Sequence, residues 1–134
     1  MAENLWGDLS GIDNGPQAPV AILREQATIL SDATKGLVTA MVAPMSQPGR
    51  IGYKFAVRAP ALNDYTVELL SIQHRETLYP VQVFPLRTGM GVSTARWIDC
   101  EDDTAFKQTL QSLLSSAEVR KILVGLIAQS NALK

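Results

Sequence analysis

The chain has 134 residues, 46% of them hydrophobic and 19% charged, with a formal net charge of −1. That length suits one domain with a real core, and the composition excludes a disordered or fibrous chain. A near-neutral charge removes the long-range attraction behind non-specific nucleic-acid binding. A single cysteine, Cys100, rules out an internal disulfide or a cysteine-rich metal framework.

Met1 to Asp8 has neither the basic start nor the apolar run of a secretory signal. No apolar stretch approaches the roughly 20 residues that cross a bilayer. A cytoplasmic location without membrane contact is the expectation. Residues 1–17 read as a flexible polar arm that carries Leu5, Trp6, Leu9 and Ile12, and residues 18–134 as one α+β domain. Leu5, Trp6 and Leu9 share one face of a helical turn. That spacing suits an anchor for a partner or an arm that folds back on its own domain.

Pro19 fits the first position of a helix, where its missing N–H is no loss. From there to Lys35 the polar residues Arg24, Glu25, Thr28, Ser31 and Asp32 keep to one face of a 3.6-residue period. Val20, Ile22, Leu23, Ala27, Ile29, Leu30 and Ala33 make a broad apolar stripe opposite. Gly36 supplies a left-handed stop.

Leu37 to Ala43 is apolar on both faces and reads as a strand, with Pro44 to Arg50 as a hairpin connection. Ile51 to Ala59 alternates strictly, so Ile51, Tyr53, Phe55, Val57 and Ala59 share a buried face. A turn at Pro60, Asn63 and Asp64 returns the chain through Tyr65 to His74. Pairing Ala59 with Tyr65 sets Val57 against Val67 and Phe55 against Leu69. On the other face Glu68 then falls between Lys54 and Arg58.

After Leu69 the parity reverses. With a turn at Arg75 to Leu78 pairing His74 with Tyr79, residues Leu70, Ile72, Tyr79, Val81 and Val83 form a second apolar patch on the outer sheet face. Either a bulge near Leu69–Leu70 returns them to one core, or the patch is real and is covered by the C-terminal helices or another subunit. Coverage is the expectation. Val92 to Ile98 adds a last strand. Asp99, Glu101, Asp102 and Asp103 precede a helix with Phe106, Leu110, Leu113 and Leu114 on one face. A second helix starts at Ser115-Ser-Ala-Glu118, which has the spacing of a capping box.

Little here has the form of a catalytic constellation. His74 is the only histidine and lacks the partners of a triad or zinc site. Cys100 lies among carboxylates that disfavour its thiolate. The acidic run is explained by helix capping and lacks the oxygen-ligand alternation of a calcium loop. The segment Gly89 to Thr94 lacks the lysine and helix of a phosphate cradle. No metal or cofactor is expected.

The leading reading is an antiparallel meander of four or five strands with one helix before and two after. Its function would be a non-catalytic protein-interaction or regulatory module, self-associating as a homodimer through Leu70, Ile72, Val81 and Val83 with Leu5 and Trp6 as anchor. The alternative is a small-molecule site, of unknown ligand, at His74, Arg75, Glu76 and Arg87. A weaker one is nucleic-acid binding through Arg50, Lys54 and Arg58, which is disfavoured because Tyr53 and Phe55 fall on the buried face.

Overall fold

The computed structural model describes residues 3–13, 15–86 and 96–133. Its element order is α1 (Pro19–Ala33), β1 (Thr39–Gln47), β2 (Arg50–Ala59), β3 (Tyr65–His74), β4 (Val81–Pro85), β5 (Ile98–Cys100), α2 (Asp103–Leu114) and α3 (Ala117–Ala132). The five strands form an antiparallel meander in sequence order. The three helices lie on one of its faces and share a single core with it. This is the α+β, two-layer architecture expected from the pattern of elements.

Helix α1 begins at Pro19 and ends two residues before Lys35. Lys35 and Gly36 both take positive φ, at 53° and 79°, and their N–H groups donate to the carbonyls of Asp32 and Ser31. These bonds satisfy carbonyls the helix end leaves free. The side chain of Lys35 therefore sits in a conformation that glycine takes without strain. Lys35→Gly is expected to raise stability by about 0.5–1 kcal/mol in urea unfolding, whereas a loss of stability would contradict this backbone assignment.

The first strand starts later than its apolar run, because Val38 is held in the helix exit by an N–H bond to the Thr34 hydroxyl at 3.2 Å. It also runs on through Pro44, a residue tolerated because β1 is a sheet edge. Only Pro48 and Gly49 remain to turn the hairpin, with Gly49 at φ 72°. Strand β4 pairs two residues further along β3 than expected, with Ile72 opposite Val83. A shift of two keeps every side chain on its face. The last strand occupies Ile98–Cys100, while residues 87–95, on which most of the expected strand fell, lie outside the described residues.

The patch expected on the outer sheet face does not exist. The β2–β3 ladder pairs Val57 with Val67 and Ala56 with Glu68, then jumps to Phe55 with Leu70, leaving Leu69 as an extra residue. This is a β-bulge. Leu69 and Leu70 are both buried in the core, and the bulge carbonyl of Leu69 accepts the Leu86 N–H at 2.9 Å. Beyond it, Leu70, Ile72, Val81 and Val83 fall on the same face as Phe55 and Val57. All four are 0% exposed in the single chain. Phe106, Leu110 and Leu113 of α2 and Val119 and Leu126 of α3 complete that core.

The outer face instead combines polar pairs with apolar side chains such as Ala56 and Phe84. Lys54 Nζ meets Glu68 Oε2 at 2.9 Å, whereas Arg58 faces Asp64 at 3.9 Å rather than Glu68. Gln73 Nε2 donates to Gln82 Oε1 at 2.6 Å, and Gln82 Nε2 in turn to Asp99 Oδ1 at 3.0 Å. At the helical end, Asp102 caps α2 by accepting the Ala105 N–H at 2.8 Å. Helix α3 is capped by Ser116 rather than Ser115, through the Val119 N–H at 3.3 Å. The corner between α2 and α3 is thereby only two residues wide.

Candidate functional site

The expected interface residues separate into two groups. Leu70, Ile72, Val81 and Val83 are core, packed against this chain's own helices, and offer nothing to a second subunit. Leu5 and Trp6 are 85% and 84% exposed, with Ile12 at 75%. The arm is shaped locally. Asn4 accepts the Trp6 N–H through Oδ1 at 2.9 Å and donates through Nδ2 to the Gly7 carbonyl at 3.0 Å. Asp8 accepts the Ser10 N–H at 2.9 Å, and Gly7 and Gly11 take positive φ. These turns set Leu5 and Trp6 at the tip of the arm rather than on a helical face.

The alternative site at His74 does not converge. The imidazole is only 3% exposed, its Nδ1 bonds the Arg75 carbonyl at 2.6 Å, and its Nε2 has no partner among the described residues. Arg75 and Glu76 are exposed, and Arg87 lies outside the described residues. A histidine this enclosed has no geometry for taking a proton from a bound substrate. Arg50, Lys54 and Arg58 do lie along β2, but Lys54 and Arg58 each face a carboxylate. Tyr53 is half-buried against the core, which leaves that strip without the stacking surface that RNA-binding sheets use.

Two titratable groups are shifted by enclosure. Burial, with Asp99, Asp102 and Glu101 close by, pushes the Cys100 thiol up, and its Sγ lies 3.4 Å from the Thr109 hydroxyl. Burial, with Asp103 and Asp102 nearby, pushes the Tyr79 phenol up to about 12. Its hydroxyl donates to the Gln17 carbonyl at 2.7 Å and fixes the root of the arm beside the start of α1. Both groups are structural, and neither is presented to solvent as a nucleophile.

A concavity among the described residues lies elsewhere, between α1 and the α2–α3 corner. One part, of about 200 Å³, is apolar: Ile29, Leu30 and Ala33 form one wall, Leu123 the other, and Phe55 and Leu69 the floor. A second part, of about 400 Å³, runs toward the start of α1 and is bounded by Ile22, Lys107, Leu110 and Arg120. Gln26 and Leu114 line both, so the two parts adjoin along α1, and together they are treated as one groove. From Ile22 to Ala33 it follows about 17 Å of helix, or three turns.

Why the groove exists can be read from α1. Ile22, Gln26, Ile29 and Ala33 recur at intervals of four, three and four, so they lie on one line of the helix. Ile22 is buried under the corner, but Ile29 is 58% exposed and Ala33 is exposed as well. The apolar stripe of α1 is wider than the surface that the rest of the chain covers. Lys107 and Arg120 are exposed and form no ion pair among the described residues. The groove is therefore apolar beside Ile29 and Ala33 and mixed at its other end, where Gln111 and Ser115 line it together with the cations Lys107 and Arg120.

Comparison with protein-family models, with curated proteins and with solved structures returned no match, so the function is read from this geometry. Sequence reasoning placed Ile29 and Leu114 on the apolar faces of their helices and gave Lys107 and Arg120 no role; Leu123 falls at a helical interval from Val119 on the last helix and reads as core in the same way. No spacing within a single helix marks them, because the groove is made by the distance between α1 and α3.

Proposed function

We propose that this chain is a non-catalytic protein-interaction module that takes an apolar segment with acidic flanks into the groove between α1 and the α2–α3 corner. The observation that carries the reading is the uncovered part of the α1 stripe, with Ile29 58% exposed at the lip of an apolar floor. Uncovered apolar surface beside a groove of helical length is the usual ground of segment recognition. Lys107 and Arg120 would then select register and charge at the end of the bound segment. A cytoplasmic location belongs to the same reading, since Cys100 is a free, buried thiol. No helix among the described residues is long and apolar enough to cross a membrane.

The test is peptide phage display against the full-length chain, repeated with Ile29→Asp and Arg120→Glu, two exposed positions whose replacement leaves the core intact. Selected peptides are expected to carry two or three apolar residues at helical spacing next to acidic ones. Their affinity should fall about tenfold or more in Ile29→Asp. Selection of peptides without that pattern, or equal binding to the variants, would contradict the proposal.

A further inference from the structure

We infer that the segment which fills the groove is the N-terminal arm of a second copy, exchanged reciprocally between two chains; this rests on the groove reading above. The arm has the chemistry the groove asks for. Between Glu3 and Asp13 it carries Leu5, Trp6, Leu9 and Ile12 together with three carboxylates, Glu3, Asp8 and Asp13, and no basic residue. The groove offers an apolar floor and two cations without ion-pair partners among the described residues, Lys107 and Arg120. Acid meets base and apolar meets apolar.

Each copy also presents both halves of the contact at once. Its own arm stands clear, with Trp6 84% exposed, and its own groove keeps Ile29 58% exposed. Two such surfaces on one chain satisfy the condition for a two-fold exchange, in which each arm fills the other's groove. The root of the arm is tied beside α1 by the Tyr79 hydroxyl, and the local turns at Asn4 and Asp8 hold the tip in shape. Less order is then lost on docking. Two arms, each burying a tryptophan and three aliphatic side chains, remove on the order of 1,200 Å² from water, the lower edge of a stable interface.

Light scattering on the full chain across a concentration series reads the result directly. Wild type is expected to approach twice 14.5 kDa, and Trp6→Asp to raise the dimer dissociation constant about 30-fold or more. A charge-reversed arm (Asp8→Lys with Asp13→Lys) and a charge-reversed groove (Lys107→Glu with Arg120→Glu) should each remain monomeric alone. Mixed together, they should form the heterodimer, because each arm then meets an opposite groove. A wild type that stays at 14.5 kDa at every concentration, whether its groove is empty or filled by its own arm, would overturn the exchange. So would a dimer indifferent to Trp6→Asp. In either case the peptide selection decides independently whether the groove receives any segment at all.

Discussion

Leu70→Asp is expected to abolish the cooperative unfolding transition, and Leu70→Ala to lower stability by about 2–5 kcal/mol in urea denaturation. Leu70 is 0% exposed, opposite Phe55 in the centre of the sheet, with the helices packed over that face. A carboxylate there has neither water nor a partner, and an unpaired buried charge is among the most damaging changes a small domain can receive. The same substitution on an outer, interface-forming face would dissociate a dimer and leave a folded chain. A well-folded Leu70→Asp would therefore contradict the single-core assignment.

Deletion of Leu69 should have a different outcome. Without it, Ala56–Glu68 and Phe55–Leu70 become successive rungs of a regular ladder, and every side chain beyond keeps its face. The sheet should survive with a loss of about 2–5 kcal/mol, from the leucine removed from the core. Insertion of an alanine after Leu70 adds one residue where nothing absorbs it. That change should unfold the chain, since it turns Ile72 outward and Ser71 and Gln73 inward. Near-ultraviolet circular dichroism and urea unfolding of the two variants check the contrast. Tolerance of the insertion together with loss of fold in the deletion would refute the bulge.

Much of the fold was legible because each element carries its own local signal. The alternation from Ile51 to Ala59, the proline at the head of α1 and the acidic cap at Asp102 each act within a few residues. The β2–β3 register near the turn followed from pairing Ala59 with Tyr65. What failed was the parity after Leu69. A bulge changes which face a strand presents, and its place is chosen by packing against helices far away in sequence. The reversal at Leu70 was visible, but a covered second face explains such a reversal equally well from sequence alone. Only the tertiary arrangement separates them.

The candidate site divides along the same line. Leu5 and Trp6 stood out as large apolar residues in a polar arm, and the structure places both in the open. The surface that complements them was hidden, because Ile29 and Leu123 look like ordinary core positions on their own helices. Their partial exposure comes from the gap between α1 and α3. Lys107 and Arg120 likewise look like ordinary surface charges until the corner of α2 and α3 sets them at one end of the groove. His74 illustrates the opposite error: its residue type suggested chemistry, but it is a buried strand end bonded to its neighbour's carbonyl.

The most direct measurement is nuclear magnetic resonance mapping on the full-length Trp6→Asp chain, whose own arm is disabled, titrated with an acetylated peptide of residues 3–17. Shift changes are expected at Gln26, Ile29, Leu30 and Ala33 on α1 and at Leu114, Arg120 and Leu123 across the groove. Changes confined to the outer sheet face around Lys54, Gln73 and Phe84, or no change at saturating peptide, would contradict the groove as the binding surface.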